Sequence, residues 1–195
     1  MYQNLPALRS SEAILAFHAI TGCDTLSYFA GHTKKTAWKT FKDHWELLLE
    51  LGNGLLNDQI LANAEAFVCR QYGIDSTDLT DEGRYILFPR ANKPEVLCPT
   101  HNALQFHIKR AHYQTMVWRQ AVRPIPELPE PTEYGWEQHD GALITLDPIP
   151  DARIQMVYCS CKTQCRYGRC KCKKSKLNCT RMCFCKQVGK CLNSV

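Results

Sequence analysis

A chain of 195 residues has room for one ordinary domain, or for a modest domain and a small module, and 45% hydrophobic side chains exclude wholesale disorder. The longest apolar run near the N-terminus, Ala13 to Ile20, is interrupted by His18 and falls short of the roughly 20 residues of a membrane span, and Met1 to Arg9 offers no signal-peptide pattern. The formal charge of +5 is uneven: Cys159 to Val195 holds ten Lys or Arg and no Asp or Glu, which leaves the other 158 residues at −5.

Ser11 to Thr21 reads as a short buried helix, capped by Ser10 or Ser11 and apolar on nearly all sides. Gly22-Cys23-Asp24-Thr25 breaks it. Thr33 to Trp45 reads as an amphipathic helix with Ala37, Trp38, Phe41 and Trp45 on one face and Lys34, Lys35, Lys39 and Lys42 on the other. It continues through Leu47, Leu48 and Leu51 to Gly52-Asn53-Gly54. A third helix, Asn57 to Tyr72, turns Ile60, Ala64, Phe67 and Val68 inward, and Thr80 to Phe88 makes a fourth. The clearest helical period runs from Pro99 to Val122, where Leu104, Ile108, Ala111, Thr115, Trp118 and Val122 alternate steps of four and three. Pro99 sits in its first turn. His101, His107 and His112 share this helix at successive spacings of six and five, which put no neighbouring pair on one face, so they read as surface histidines. Trp38, Trp45 and Trp118 read as core, and Cys23, Cys69 and Cys98 as buried small hydrophobes. Arg123 to Trp136 holds four prolines and reads as a semi-extended linker. Ala142 to Leu146 and Arg153 to Val157 read as short strands.

Nine of the twelve cysteines lie in the tail, as C159-x-C161-x3-C165-x4-C170-x-C172-x6-C179-x3-C183-x-C185-x5-C191. Two cysteines one residue apart deliver both sulfurs to one small cluster, and three such pairs occur. Thiolate selects soft cations such as zinc, and structural zinc is four-coordinate. Three ions need twelve metal–sulfur bonds, which six terminal and three bridging thiolates supply, so nine cysteines fit; two four-cysteine sites would leave one thiol over. A disulfide framework would normally have an even cysteine count and a secretory signal. The alternatives to a metal module are a disulfide knot and a disordered basic tail. A segment this short builds no hydrophobic core, so metal would supply its fold. Lys171, Lys173, Lys174 and Lys176 alternate with or follow cysteines, which turns their charge outward, toward phosphates or simply toward water. A nuclear-localisation patch is the plainer reading of the same charges.

The pattern from Cys159 to Cys191 resembles a CXC domain of the tesmin type. The resemblance implies three zinc ions held by Cys159, Cys161, Cys165, Cys170, Cys172, Cys179, Cys183, Cys185 and Cys191, and docking on DNA, often at the minor groove. Tesmin-type domains carry a groove-entering tyrosine just before the second C-x-C pair. Arg169 stands there in this chain, with Tyr167 nearby, and arginine also enters narrow minor grooves. The last gap, Cys185 to Cys191, is longer than usual in the family. Expected nucleic-acid contacts are Arg166, Tyr167, Arg169, Lys171, Lys173, Lys174 and Lys176.

Ile14 to Phe41 resembles the helix–hairpin–helix region of FEN/XPG-type nucleases. Gly22, Cys23 and Asp24 match its G-C-D, and Gly31, Lys35 and Ala37 match its hairpin, whose second glycine is Thr33 here. The resemblance implies a metal-holding role for Asp24 and a DNA-backbone contact at Lys35. Aspartate is also a common turn residue, the plainer role for Asp24. With His107-Ile108-Lys109-Arg110-Ala111 and Tyr134-Gly135-Trp136, nearly the whole chain resembles the C-terminal part of metazoan transposon-associated proteins that join a FEN-like region to a CXC domain. Two-metal hydrolysis needs clustered carboxylates, and this chain has no D-x-D pair, so no catalytic activity is expected of it.

The expected fold is a mostly α body over residues 1–122, with a helix–hairpin–helix-like segment at about 14–45. A Pro-rich linker with short strands follows at 123–155, then a small irregular zinc-stabilised cysteine-rich module at 156–195. The expected function is zinc-dependent binding of double-stranded DNA in the nucleus, without a membrane partner, by a non-catalytic remnant of a FEN-like protein of transposon origin. The alternatives are a protein-interaction module of a chromatin-type complex and a fragment of a metal-dependent nuclease.

Overall fold

In a computed structural model, residues 5–91, 93–146, 158–162, 164–165, 170–175, 177–179, 183–189 and 191–193 are described. The chain forms two units, Met1–Asp147 and Pro148–Val195. The first is mostly helical: α1 Leu5–Glu12, α2 Ile14–Ile20, α3 Lys34–His44, α4 Asp58–Gln71, α5 Thr80–Leu87 and α6 His101–Arg119, followed by a hairpin of β1 Trp136–His139 and β2 Ala142–Thr145. The second holds two single-turn helices, α7 Lys171–Lys174 and α8 Phe184–Gln187.

Side-chain caps set three of the helix starts. Thr33 Oγ1 accepts from Thr36 N in a reciprocal capping box at α3, Asn57 Oδ1 accepts from Ile60 N at α4, and Thr100 Oγ1 accepts from Ala103 N at α6. Pro99 therefore stands outside α6 rather than in its first turn. The helix expected from Ser11 to Thr21 is two helices parted at Ala13, which is wholly buried, and no serine caps α2. After α3 a 3-10 turn, Trp45–Leu48, carries Leu48 into the core, and the chain reverses at Gly52. Gly52 has φ +86°, and a Cβ there would lie 2.3 Å from Thr115 Cγ2, so only glycine fits.

The core is α2, α3 and α4 closed over α6. Phe17, Ile20, Phe41, Leu48, Leu51, Phe67 and Val68 pack with Leu104, Ile108 and Ala111. Ile60, Ala64, Phe67 and Val68 face inward as their spacing implies, while Val122 is 92% exposed because α6 has already ended. Trp45 and Trp118 are partly buried against this core. Trp38 departs from expectation: it is 42% exposed, lying over Phe17 and Phe41 as a lid on the core's edge. Cys69 and Cys98 are buried, whereas Cys23 is only partly so.

Two of the three histidines of α6, His107 and His112, are not surface residues, whereas the His101 side chain is 43% exposed. His107 is 6% exposed and its Nε2 meets Ile20 O at 2.8 Å. His112 is fully buried: Nδ1 accepts from Gly52 N at 3.0 Å, and Nε2 lies 3.1 Å from Gly54 O. An acceptor Nδ1 and a donor Nε2 make His112 a neutral imidazole, which ties the 52–54 turn to α6. Glu65 is a buried acidic residue. It is 2% exposed, accepts from Thr80 N and Thr80 Oγ1 at 2.8 Å each, and faces His101 Nδ1 at 2.9 Å. One carboxylate thus joins α4, the start of α5 and the start of α6.

The stretch read as a linker does not run free throughout. It ends in a 3-10 turn, Pro131–Tyr134, with Tyr134 4% exposed and stacked on His112. Arg110 donates to Gly135 O and Leu146 O, which pins both ends of the hairpin. The strand expected at 142–146 is present as β2, paired antiparallel with β1 across an Asp140-Gly141 turn in which both residues have positive φ. The strand expected from Arg153 to Val157 lies outside the described residues.

Burial holds the His107 imidazole down at a pKa of about 4; the Ile20 carbonyl opposes this and the Arg110 charge adds to it. The unfolded chain takes up that proton near pH 6.5, so His107 favours folding fully above pH 6.5 and progressively less toward pH 4. Stability is expected to fall by about 2 kcal/mol between pH 7 and pH 5 from this residue. Denaturant titrations at the two pH values check it: His107→Gln should lower stability at pH 7 and flatten the pH dependence.

Candidate metal centre

Among the described residues, the tail has no aliphatic core. Its buried cluster consists of Cys159, Cys165, Cys170, Cys172, Cys179, Cys183 and Cys185, with Tyr158, Cys161 and Cys191 packed against it. The two single turns explain how short spacings converge. Cys170 precedes α7 and Cys172 lies within it; Cys183 precedes α8 and Cys185 lies within it. All four are fully buried. Cys165 takes a positive φ of 55°, a reversal that returns the chain toward the cluster. Backbone bonds then lock the strands of the module: Phe184 N donates to Cys159 O, Leu192 N to Gln164 O, and Cys179 N to Asn193 O.

Three sulfur quartets lie within mutual distances of 4.8 Å: Cys159, Cys161, Cys165 and Cys170; Cys159, Cys170, Cys172 and Cys179; and Cys159, Cys165, Cys179 and Cys185. Cys159 Sγ stands 3.8 Å from Cys165 Sγ, 3.8 Å from Cys179 Sγ and 3.6 Å from Cys185 Sγ. Cys170 lies 3.8 Å from Cys179, and Cys172 lies 3.6 Å from Cys183. These separations exceed the roughly 2.05 Å of a disulfide bond. They match the edge of about 3.8 Å that four sulfurs have around an ion at about 2.3 Å. The cluster can therefore hold a metal ion.

Its electrostatics ask for one. Burial pushes the Cys159 and Cys179 thiols up to about 12 and Cys185 up to about 11. Burial raises Cys165 and Cys172 as well. Burial also pushes Cys170 upward, but the Lys173 N–H and the thiols of Cys159, Cys165 and Cys179 donate to it and bring it down to about 7. A cation would displace the protons these sulfurs otherwise keep. Asn193 supports the sulfurs from outside: its backbone N–H meets Cys191 Sγ at 3.3 Å, and its Nδ2 meets Cys179 Sγ at 3.4 Å and Leu177 O at 3.0 Å. Sequence reasoning did not single out Asn193, because nothing in its neighbours marks an amide that reaches back 14 residues.

Around the cluster, Lys171, Lys173 and Lys174 are exposed while Cys170 and Cys172 beside them are buried. Arg166, Tyr167, Arg169 and Lys176 lie outside the described residues. Lys35 belongs to the first unit, exposed in the opening turn of α3. In the same segment Asp24 is exposed in a turn closed by the reciprocal bonds of Cys23 and Leu26. Among the described residues, every group of three or more potential metal ligands is made of tail cysteines, and Asp24 joins none.

Cys159 is common to all three quartets, whereas Cys161 belongs to one. Titration with cobalt, followed by thiolate-to-metal absorbance, should show Cys161→Ser losing part of the signal and Cys159→Ser losing most of it. Comparison of the chain with family models, curated proteins and solved structures gives no match.

Proposed function

We propose that the cysteine module holds three zinc ions and uses the basic surface they organise to bind nucleic acid, specifically double-stranded DNA. The observation that carries this reading is the sharing pattern of the sulfurs. One ion takes Cys159, Cys161, Cys165 and Cys170, which form one of the quartets. A second takes Cys170, Cys172, Cys179 and Cys183, joined by the close pairs Cys170–Cys179 and Cys172–Cys183. The third takes Cys159, Cys179, Cys185 and Cys191; Cys191 is in hydrogen-bonding reach of Cys185 and Cys179. Cys159, Cys170 and Cys179 then bridge, the other six are terminal, and each of the nine is used. Zinc suits this set because it is redox-inert and accepts four thiolates tetrahedrally. Its role is structural: it replaces the hydrophobic core that the segment lacks.

Lys171, Lys173 and Lys174 supply the phosphate-facing charge on a turn whose cysteines are anchored at the cluster. Binding of this kind releases counterions and weakens steeply with salt. The helical body is, on this reading, the non-catalytic part of a FEN-like protein of transposon origin, acting in the nucleus; the place of Asp24 in a closed turn fits a turn-forming role. A second reading, a protein-interaction module, draws on Phe184, Val188 and Leu192, which are 43, 40 and 60% exposed.

Native mass spectrometry of protein kept reduced with zinc should give three ions per chain. Duplex DNA titrations should then show affinity falling with salt, and Lys171→Ala/Lys173→Ala/Lys174→Ala should reduce the slope of log K against log salt by about 2–3. Three ions with no DNA retention at low salt would favour the protein-interaction reading. One ion or none would remove the cluster.

A further inference from the structure

The three close sulfur quartets all contain Cys159. As a bridge, Cys159 joins one pair of four-coordinate ions, so the three quartets cannot be filled together. The arrangement that accommodates a third ion seats Cys191, in place of Cys165, beside Cys159, Cys179 and Cys185. Both sulfurs are within range of that position. Cys165 Sγ lies 3.9 Å from Cys179 Sγ and 3.8 Å from Cys159 Sγ, and Cys191 is in hydrogen-bonding reach of Cys179 and Cys185. Cys191 is only partly buried, whereas Cys159, Cys165, Cys179 and Cys185 are buried, so burial alone does not fix it.

Asn193 supplies what burial does not. Its backbone N–H donates to Cys191 Sγ at 3.3 Å. Its Nδ2 carries two hydrogens and bonds both Cys179 Sγ, at 3.4 Å, and Leu177 O, at 3.0 Å. Its carbonyl accepts from Cys179 N at 2.6 Å, and next to it Leu192 N donates to Gln164 O at 3.1 Å. One residue thus holds the sulfurs of Cys179 and Cys191 together with the backbone that carries Cys179. The chain arrives there from the end of α8, where Val188 N donates to Phe184 O, Gly189 N donates to Lys186 O and Gly189 takes φ +67°. N–H donors aimed at a thiolate offset part of its charge and fix its direction, the part that outer groups play around bound metal.

Building on the three-ion reading above, we propose that Asn193 is a positioning residue for the third ion: it holds Cys191 beside Cys159, Cys179 and Cys185, so that Cys191 rather than Cys165 completes that site, and without it the module holds two ions. Two substitutions separate the donor from the shape. Asn193→Asp keeps the outline of the side chain but turns an anionic oxygen toward Cys179. Asn193→Leu removes the amide donors and adds no charge.

Native mass spectrometry and chelator competition on the full chain, kept reduced and loaded with zinc, test this. The wild-type chain should carry three ions. In Asn193→Asp and Asn193→Leu the most weakly held ion should be lost, or held about 10- to 100-fold less tightly, with the other two unchanged. Cys191→Ser should carry two ions, and adding Asn193→Leu to it should change nothing further, because the residue acts through Cys191. Three ions held as tightly as in the wild type by both Asn193 variants would overturn the proposal and leave the three-ion reading in place. So would loss of every ion from both variants, or a further loss when Asn193→Leu joins Cys191→Ser, because Asn193 would then support the module as a whole. Fewer than three ions on the wild-type chain would overturn the three-ion reading itself, and the proposal with it.

Discussion

The second unit depends on the convergence of cysteine sulfurs on Cys159. Seven of the nine tail cysteines are buried, and among the described residues no aliphatic side chain joins them in the core of the module. A body of sulfur this small is held together neither by apolar area nor by disulfides. A cation at its centre would supply that cohesion, because desolvated thiolates repel one another and protonated thiols offer only weak hydrogen bonds, and the sulfurs lie close enough together to hold one. The backbone serves this demand: two single turns and the positive φ of Cys165 bring distant cysteines to one point. The lysines face outward for the same reason. Cys170 and Cys172 turn inward, and Lys171, Lys173 and Lys174 beside them are exposed.

The first unit is built differently. Its organising element is α6, which carries Leu104, Ile108 and Ala111 into the core and places buried polar groups at fixed heights along its length. His101 meets Glu65, His107 meets Ile20 O, His112 holds the 52–54 turn, and Arg110 holds the hairpin. Each of these groups fastens a separate piece of chain to the same helix. Uncharged imidazoles do this at lower desolvation cost than charged side chains, which is why burial keeps His107 and His112 neutral. The arrangement also ties the surface to the interior: Gly52 and Gly54 of the turn fixed by His112 line an open surface cleft together with Met116 and Arg119 of α6.

Sulfur chemistry and apolar periodicity were legible without coordinates. Nine cysteines at short spacings in a stretch without acidic residues point to a metal-holding cluster, because ligand chemistry depends on residue type and local separation. Helices α3, α4 and α6 were legible because their apolar positions recur with helical period and a Thr or Asn stands at each start. The break at Ala13 was not, since the polar run Arg9-Ser10-Ser11-Glu12 before it carries no apolar period to interrupt. Nor was the packing of Tyr134, which a Pro-rich context disguises.

Residue type and local order by themselves determined the division into a helical body and a basic cysteine module, the candidate sulfurs of the cluster and most helix positions. These depend on interactions within a few residues of one another. Tertiary structure alone decided which polar residues are buried and what they hold. His107 finds its acceptor 87 positions away in Ile20, His112 reaches Gly54 across 58, and Glu65 reaches His101 across 36. No local pattern encodes such partners, because burial of a polar group is permitted only where a distant segment arrives to satisfy it.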